Sequence, residues 1–142
     1  MYFWRYAAEG KAPVFLGKTQ QWKTYAAAVI LKSIHVNLTV RTMFVGCPTY
    51  FARLERDRFS ENTQRHVKRM TRIPFLVMDD FADVRAKTFG SDLLIEVASA
   101  RHYQQLPTLW TGNIAGKDIK EKYGANFARR MQEGSEGLAL QF

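Results

Sequence analysis

Hydrophobic positions along the chain gather into short, nearly continuous runs that alternate with longer stretches of helical spacing. Pro13 to Gly17 (PVFLG) predicts a buried strand running into a turn, and Lys23 to His35, rich in alanine, predicts a helix. Leu38 to Val45 (LTVRTMFV), closed by Gly46 and Pro48, predicts a second strand. Thr49 to Arg72 is polar and basic, with Tyr50, Phe51, Leu54, Val67 and Met70 as the apolar positions of one or two amphipathic helices. Ile73 to Met78 (IPFLVM) is an unbroken apolar run that stops at Asp79 and Asp80, as expected of a central strand buried on both faces with acids at its carboxyl end. A helix over Asp92–Tyr103 and a strand over Pro107–Trp110 follow, the latter leading into Thr111-Gly112-Asn113. Short helices flanking Gly124, over Ile119–Tyr123 and Phe127–Met131, and a last strand over Gly137–Phe142 complete the pattern. Alternation of this kind predicts an α/β domain with a mainly parallel sheet.

Composition narrows the picture. With 142 residues, 46% of them hydrophobic, the chain is long enough to bury one core, and no repeat or flexible linker interrupts it. Lys and Arg number 21 against 13 Asp and Glu, a formal net charge of +8 that favours acidic partners without choosing among them. The single cysteine, Cys47, excludes an internal disulfide and reads as a small buried hydrophobe at a strand end. His35, His66 and His102 form no recognisable zinc pattern. No apolar run approaches the ~20 residues that span a bilayer, so no membrane association and a cytoplasmic location are expected.

Three segments carry candidate chemistry. Gly17, Lys23 and Thr24 sit at the spacing of the phosphate-loop pattern G-x-x-x-x-G-K-[ST], after a strand and at a helix start, where backbone N–H groups and the helix dipole attract phosphate. Trp22 replaces the second glycine, whose missing Cβ ordinarily lets the backbone approach the phosphates. Phe75 to Asp80 (FLVMDD) has the form of a Walker B strand, in which the first acid helps hold Mg²⁺ and the second polarises the attacking water. An ordinary core strand ending in a solvated acidic turn would look the same. Asn113, at the end of PTLWTGN, can donate and accept a hydrogen bond and so orient a water, although a Gly-Asn pair also suits a plain turn. The order decides between these readings: loop, acids about 55 residues on, polar strand end about 33 residues beyond the acids.

These segments, together with Ala100-Arg101 and Gly124-Ala125-Asn126-Phe127-Ala128-Arg129-Arg130-Met131, resemble the DnaC/IstB class of AAA+ P-loop ATPases over nearly the whole chain. The resemblance implies a three-layer P-loop NTPase with a five-stranded parallel sheet in the order 5-1-4-3-2, flanked by helices. It implies ATP with Mg²⁺ between neighbouring subunits of a homo-oligomer. Gly17, Trp22, Lys23 and Thr24 would then bind the nucleotide, Thr24 and Asp79 the metal. Asp80 would position water, Asn113 sense the γ-phosphate, and Arg130, or alternatively Arg129, reach the next subunit's nucleotide as an arginine finger. Residues 1–142 are expected to form a single nucleotide-binding domain with neither an N-terminal partner domain nor a separate lid.

Arg53, Arg56, Arg58, Arg65, Lys68, Arg69 and Arg72 share the basic stretch with Tyr50, Phe51 and Phe59. Cations interleaved with aromatics can track a single-stranded backbone and stack its bases, while a merely solvated basic face remains the plain alternative. The leading expectation is an ATP-binding helicase-loader-like or transposition-helper-like protein, with single-stranded DNA and a replicative helicase or transposase as partners. Whether it hydrolyses ATP stays open at this point. The competing expectation is a pseudo-ATPase that keeps the fold as a protein- or DNA-binding module; a small nucleotide kinase is a third and weaker option, as no Arg-rich lid follows the sensor strand.

Overall fold

The computed structural model describes residues 3–18 and 22–136, and the backbone of 139–141. In chain order the elements are α1 (Phe3–Ala8), β1 (Val14–Leu16), α2 (Trp22–Leu38), β2 (Thr42–Gly46), α3 (Cys47–Arg56) and α4 (Glu61–Arg72). They continue with β3 (Phe75–Asp79), a 3-10 turn (Phe81–Asp83), α5 (Phe89–Tyr103), β4 (Thr108–Gly112), α6 (Gly116–Tyr123), α7 (Ala125–Ser135) and β5 (Ala139–Gln141). The sheet runs β2-β3-β4-β1-β5 from edge to edge. All its pairs are parallel. Its body is the set β2-β3-β4-β1, and β5 adds a three-residue edge beside β1.

Strand side chains alternate between two cores, as the period of two along a strand requires. Phe15, Phe75, Val77 and Leu109 pack with Ala27, Ile30 and Ile34 of α2 and with α1 on one face. Val14, Leu16, Leu76, Met78 and Trp110 pack on the other face with α3, α4, α5, α6 and α7. Every residue of β3 is buried, so the apolar run before the two acids is the central strand that its composition predicts. The expected α/β architecture, a parallel sheet with helices on both faces, is the one observed.

Several boundaries differ from the expectation. The segment 38–41 is not strand: α2 continues to Leu38, and the chain turns at Thr39, whose φ of 53° is left-handed. β2 therefore starts only at Thr42. The basic stretch forms two helices, and Ser60 starts the second by accepting a hydrogen bond from the Asn62 N–H (3.1 Å). α5 begins three residues earlier than expected because Thr88 and Ser91 form a reciprocal capping box. The hydrophobic pattern does not predict α1 at all. Cys47 is buried immediately after β2, as expected.

One buried charge ties the lower end of this sheet together. Arg101, near the end of α5, is 0% exposed. Its guanidinium donates to the carbonyls of Met70 (2.8 Å), Ile73 (2.7 Å) and Pro107 (2.8 Å) and to the Thr108 hydroxyl (2.7 Å). These acceptors belong to the end of α4, the approach to β3 and the start of β4, so a single side chain sets where two central strands begin. All four are neutral, and burial pulls the Arg101 pKa down to about 9; the hydrogen bonds hold the charged form in place. Replacing Arg101 with Met is expected to lower the unfolding free energy by about 3 kcal/mol, because buried carbonyls lose their donors. Lysine is expected to rescue little of this, since one ammonium cannot reproduce the guanidinium fork. Urea denaturation of the two variants checks this, and a loss below about 1 kcal/mol in Arg101→Met would contradict it.

Candidate functional site

At the carboxyl ends of β1, β3 and β4 the polar residues converge on one carboxylate. Asp79, the last residue of β3, is only 6% exposed. The Thr24 hydroxyl, in the first turn of α2, donates to its two oxygens at 2.9 and 3.1 Å. From β4, the Thr111 hydroxyl donates to Oδ1 at 2.6 Å, and it accepts the Asp80 N–H at 3.0 Å. Three elements far apart in sequence thereby share one buried acid. Strand register explains the meeting: Leu16 pairs with Gly112 and Met78 with Trp110, which brings the tips of β1, β4 and β3 side by side.

The expected phosphate loop begins where it should. Gly17 follows β1 with a φ of 136°, a conformation that favours glycine, and its N–H bonds the Gly112 carbonyl at 3.2 Å. Residues 19–21 lie outside the described residues. Trp22 opens α2, and its indole lies 6.0 Å from the Phe15 ring, centroid to centroid, on the α2 face of the sheet. Lys23 is 2% exposed, and its ammonium donates to the carbonyls of Gly17 (3.3 Å) and Lys18. The lysine is thus folded onto the loop that precedes it, near enough to Asp80 to act on that carboxyl's pKa.

Asp80 occupies a left-handed conformation (φ 53°, ψ 40°), uncommon outside glycine, although aspartate and asparagine take it more readily than other residues. Its pKa is raised, first by burial and then by the charges of Asp79 and Asp83, with Lys23 acting in the opposite direction. After burial itself, the charges of Asp79 and Asp80 push the Cys47 thiol up, which keeps it protonated and inert. Behind Asp80 an aromatic brace fixes the turn. Phe81 packs on Trp110 (5.4 Å between centroids), and Phe127 packs on both Trp110 (5.5 Å) and Tyr123 (5.1 Å). The Tyr123 hydroxyl donates to the carbonyls of Val84 (2.6 Å) and Phe81 (2.9 Å). Gly112 has a local reason: a Cβ there would lie 2.7 Å from the Phe81 ring. Sequence reading missed this brace: Tyr123 ends α6 and Phe127 lies on α7 beyond Gly124, so no single helical period links them.

Asn113 follows β4 directly and is exposed. One register step beyond the Leu16–Gly112 pair sets its backbone beside Gly17. Arg130 stands elsewhere. It is half-buried on α7 and lines a cavity of about 300 Å³ with Lys11, His102 and Thr108, at the amino end of the sheet. It therefore does not join the strand-tip cluster of its own chain. Arg129 is engaged by Glu133 at 2.8 Å.

The basic helices require one correction. Phe51 is 1% exposed in the core with Cys47 and Leu54, so it cannot stack on a base; its place one and two turns along the same helical face was the signal. Tyr50 is half-buried and packs α3 on α4 through a 2.8 Å hydrogen bond to His66. Arg53 caps that pair, 3.4 Å from the other His66 nitrogen and 5.6 Å from the Tyr50 ring. The aromatic left open to solvent in this region is Phe59, 91% exposed, with the Arg58 guanidinium 4.9 Å above its ring. Arg53, Arg56, Arg58, Arg65, Lys68 and Arg69 are all exposed.

No protein-family model matches the sequence, nor does any curated protein. Solved structures do match the fold. A crystal structure of the DnaC helicase loader superposes with a TM-score of 0.84 at 23% identity, covering 96% of this chain and 80% of that one. The chain has a DnaC-like fold. DnaI matches with a TM-score of 0.80 at 20% identity over 96% of this chain and 79% of its own. A replication initiator DnaA, bound to AMPPCP and single-stranded DNA, matches with a TM-score of 0.78 at 7% identity, over 96% of this chain and 41% of the DnaA chain. At these identities the likeness concerns the fold, in which the DnaC-like arrangement sets the Asp79 cluster at the strand tips where open α/β sheets take their ligands.

The raised Asp80 pKa has a signed consequence. A carboxyl whose folded pKa lies above its unfolded value costs stability when ionised, and that cost vanishes below the unfolded value of ~3.9. Asp80→Asn is therefore expected to melt above the parent protein at pH 7, by an amount that shrinks as the pH falls through the carboxylate range. Melting curves across that range check it; a variant that melts below the parent at pH 7 would contradict it.

Proposed function

We propose that the strand-tip cluster binds Mg-ATP and that the protein is a helicase-loader-like or transposition-helper-like ATPase that assembles on DNA when nucleotide is bound. The observation that carries the reading is the Thr24–Asp79 pair, a hydroxyl at the start of α2 meeting a carboxylate at the end of β3 at 2.9 Å. A hydroxyl and a carboxylate are hard oxygen donors of the kind Mg²⁺ takes. When bound there, Mg²⁺ would offset the charge of the terminal phosphates. Lys23, released from the Gly17 and Lys18 carbonyls, contacts the β- and γ-phosphates. Asp80 orients the water that attacks the γ-phosphorus, with ADP as the leaving group. Asn113 hydrogen-bonds the γ-phosphate, and the ends of the loop, Gly17 and Trp22, border the phosphates. Arg130, remote from its own cluster, supplies its charge to a neighbouring copy's nucleotide.

In the same reading, residues 1–142 act as one nucleotide-binding domain and the α3–α4 pair faces single-stranded DNA. Arg56, Arg58 and Phe59 sit around its turn, and a replicative helicase or transposase is the protein partner. No helix among the described residues is long and apolar enough to cross a membrane, and we place the protein's work in the cytoplasm with the replication machinery.

A second reading, the pseudo-ATPase module, has its own support. The Lys23 ammonium already spends two hydrogen bonds on loop carbonyls, and Trp22 stands where the loop pattern has glycine. Calorimetry separates the two. The ATPase reading predicts measurable binding of millimolar Mg-ATP, weakened at least tenfold in Lys23→Met and in Asp79→Asn, and unchanged or modestly tighter in Trp22→Gly. Binding that appears only in Trp22→Gly marks a decayed site. Absence of heat and of thermal shift in both parent and Trp22→Gly contradicts the nucleotide reading altogether.

A further inference from the structure

A second charged feature lies at the opposite end of the sheet from the Asp79 cluster. Between the end of α2, the start of β2 and the outer face of α4 is a cleft of about 510 Å³, lined by His35, Arg41, Arg65, Lys68, Arg69 and Arg72 together with Thr42 and Ile73. No carboxylate lines it. The five Lys and Arg residues are exposed. Arg65 has a partner, Glu61 at 3.8 Å; Arg41, Lys68, Arg69 and Arg72 have no ion pair among the described residues.

Geometry turns these charges into a track. Arg65, Lys68, Arg69 and Arg72 are spaced at i, i+3, i+4 and i+7 on α4, so they form one stripe along about 10 Å of helix. Arg41, arriving from the other side at the foot of β2, makes the stripe a cleft with a cation on each wall. Such a concentration of like charge repels itself unless an anion offsets it. Four of the five cations are arginines, whose planar fork grips phosphate oxygens in pairs. No Phe, Tyr or Trp lines the cleft, so it offers mainly charge to a bound strand.

We infer that this cleft is a binding site for the backbone phosphates of single-stranded nucleic acid, separate from the α3–α4 turn that carries Phe59. The inference rests on the DNA reading above and adds Arg41 as a contact that the sequence pattern does not single out. It also makes the strand run along α4, from the turn down to the foot of β2 and β3, away from the strand tips. Nucleotide and DNA then bind without sharing a residue.

The salt dependence of affinity for an oligo-dT strand tests it, because each phosphate contact contributes about 0.7 to the slope of log K against log salt for single strands. The triple variant Arg41→Ala/Arg69→Ala/Arg72→Ala is expected to bind at least tenfold more weakly near 0.1 M salt, with a slope shallower by about 2. Arg41→Lys/Arg69→Lys/Arg72→Lys is expected to keep most of the parent slope, which separates lost charge from lost folding. If the alanine triple keeps the parent slope while Arg56→Ala/Arg58→Ala lowers it, the cleft assignment fails and the DNA reading stands. If the parent chain does not bind oligo-dT even at 50 mM salt, both fail. Displacement of the oligonucleotide by poly-glutamate at equal charge concentration would assign the cleft to an acidic protein and overturn the inference.

Discussion

A buried carboxylate must have hydrogen-bond donors around it, and Asp79 obtains them from two hydroxyls on separate elements. Thr24 at the start of α2 and Thr111 on β4 cannot both reach Asp79 unless β1, β3 and β4 end level with one another. Much of the molecule serves that alignment: the Arg101 clamp sets where β3 and β4 begin, and the Phe81, Trp110, Phe127 and Tyr123 brace sets how the chain leaves β3. The chemistry of the site thus follows from packing at its two ends.

The same arrangement explains why Asp80 is unusual. With Asp79 hydrogen-bonded by two hydroxyls and Asp80 next to it in a left-handed turn, two acids stand together where only one has donors enough. The second keeps its proton more readily and costs stability when charged. Like charge concentrated at a strand tip favours a cation there, which is what the proposed Mg-ATP site requires. Lys23, for its part, rests on the carbonyls of its own loop.

Much of this was legible in the residues, for identifiable physical reasons. A fully buried parallel strand needs an unbroken apolar run, and FLVM followed by two acids announces both the strand and its exposed end. Glycine with a positive φ marks the start of the loop. What stayed hidden depends on tertiary geometry. Thr39 ends α2 by turning left-handed, which no propensity signals, so the β-branched residues before Thr42 read as strand. Arg101 reads as one more cation at a helix end, because its four acceptors come from segments that meet only in the fold. Phe51 looked like a stacking aromatic beside arginines, yet its spacing from Cys47 and Leu54 put it in the core. The basic cleft is of the same kind, since Arg41 lies far from α4 in sequence and joins it only at the foot of β2.

The central claim is that Lys23, Thr24, Asp79, Asp80 and Asn113 act as one anion pocket. Amide hydrogen exchange with and without Mg-ATP addresses it most directly, because it reads every strand tip in the same sample. The account predicts that exchange slows together in the first turn of α2, at Asp80 and Phe81, and at Gly112 and Asn113, with α4 unaffected. Protection confined to α4 and Arg41, or none at any of the three tips, would contradict it.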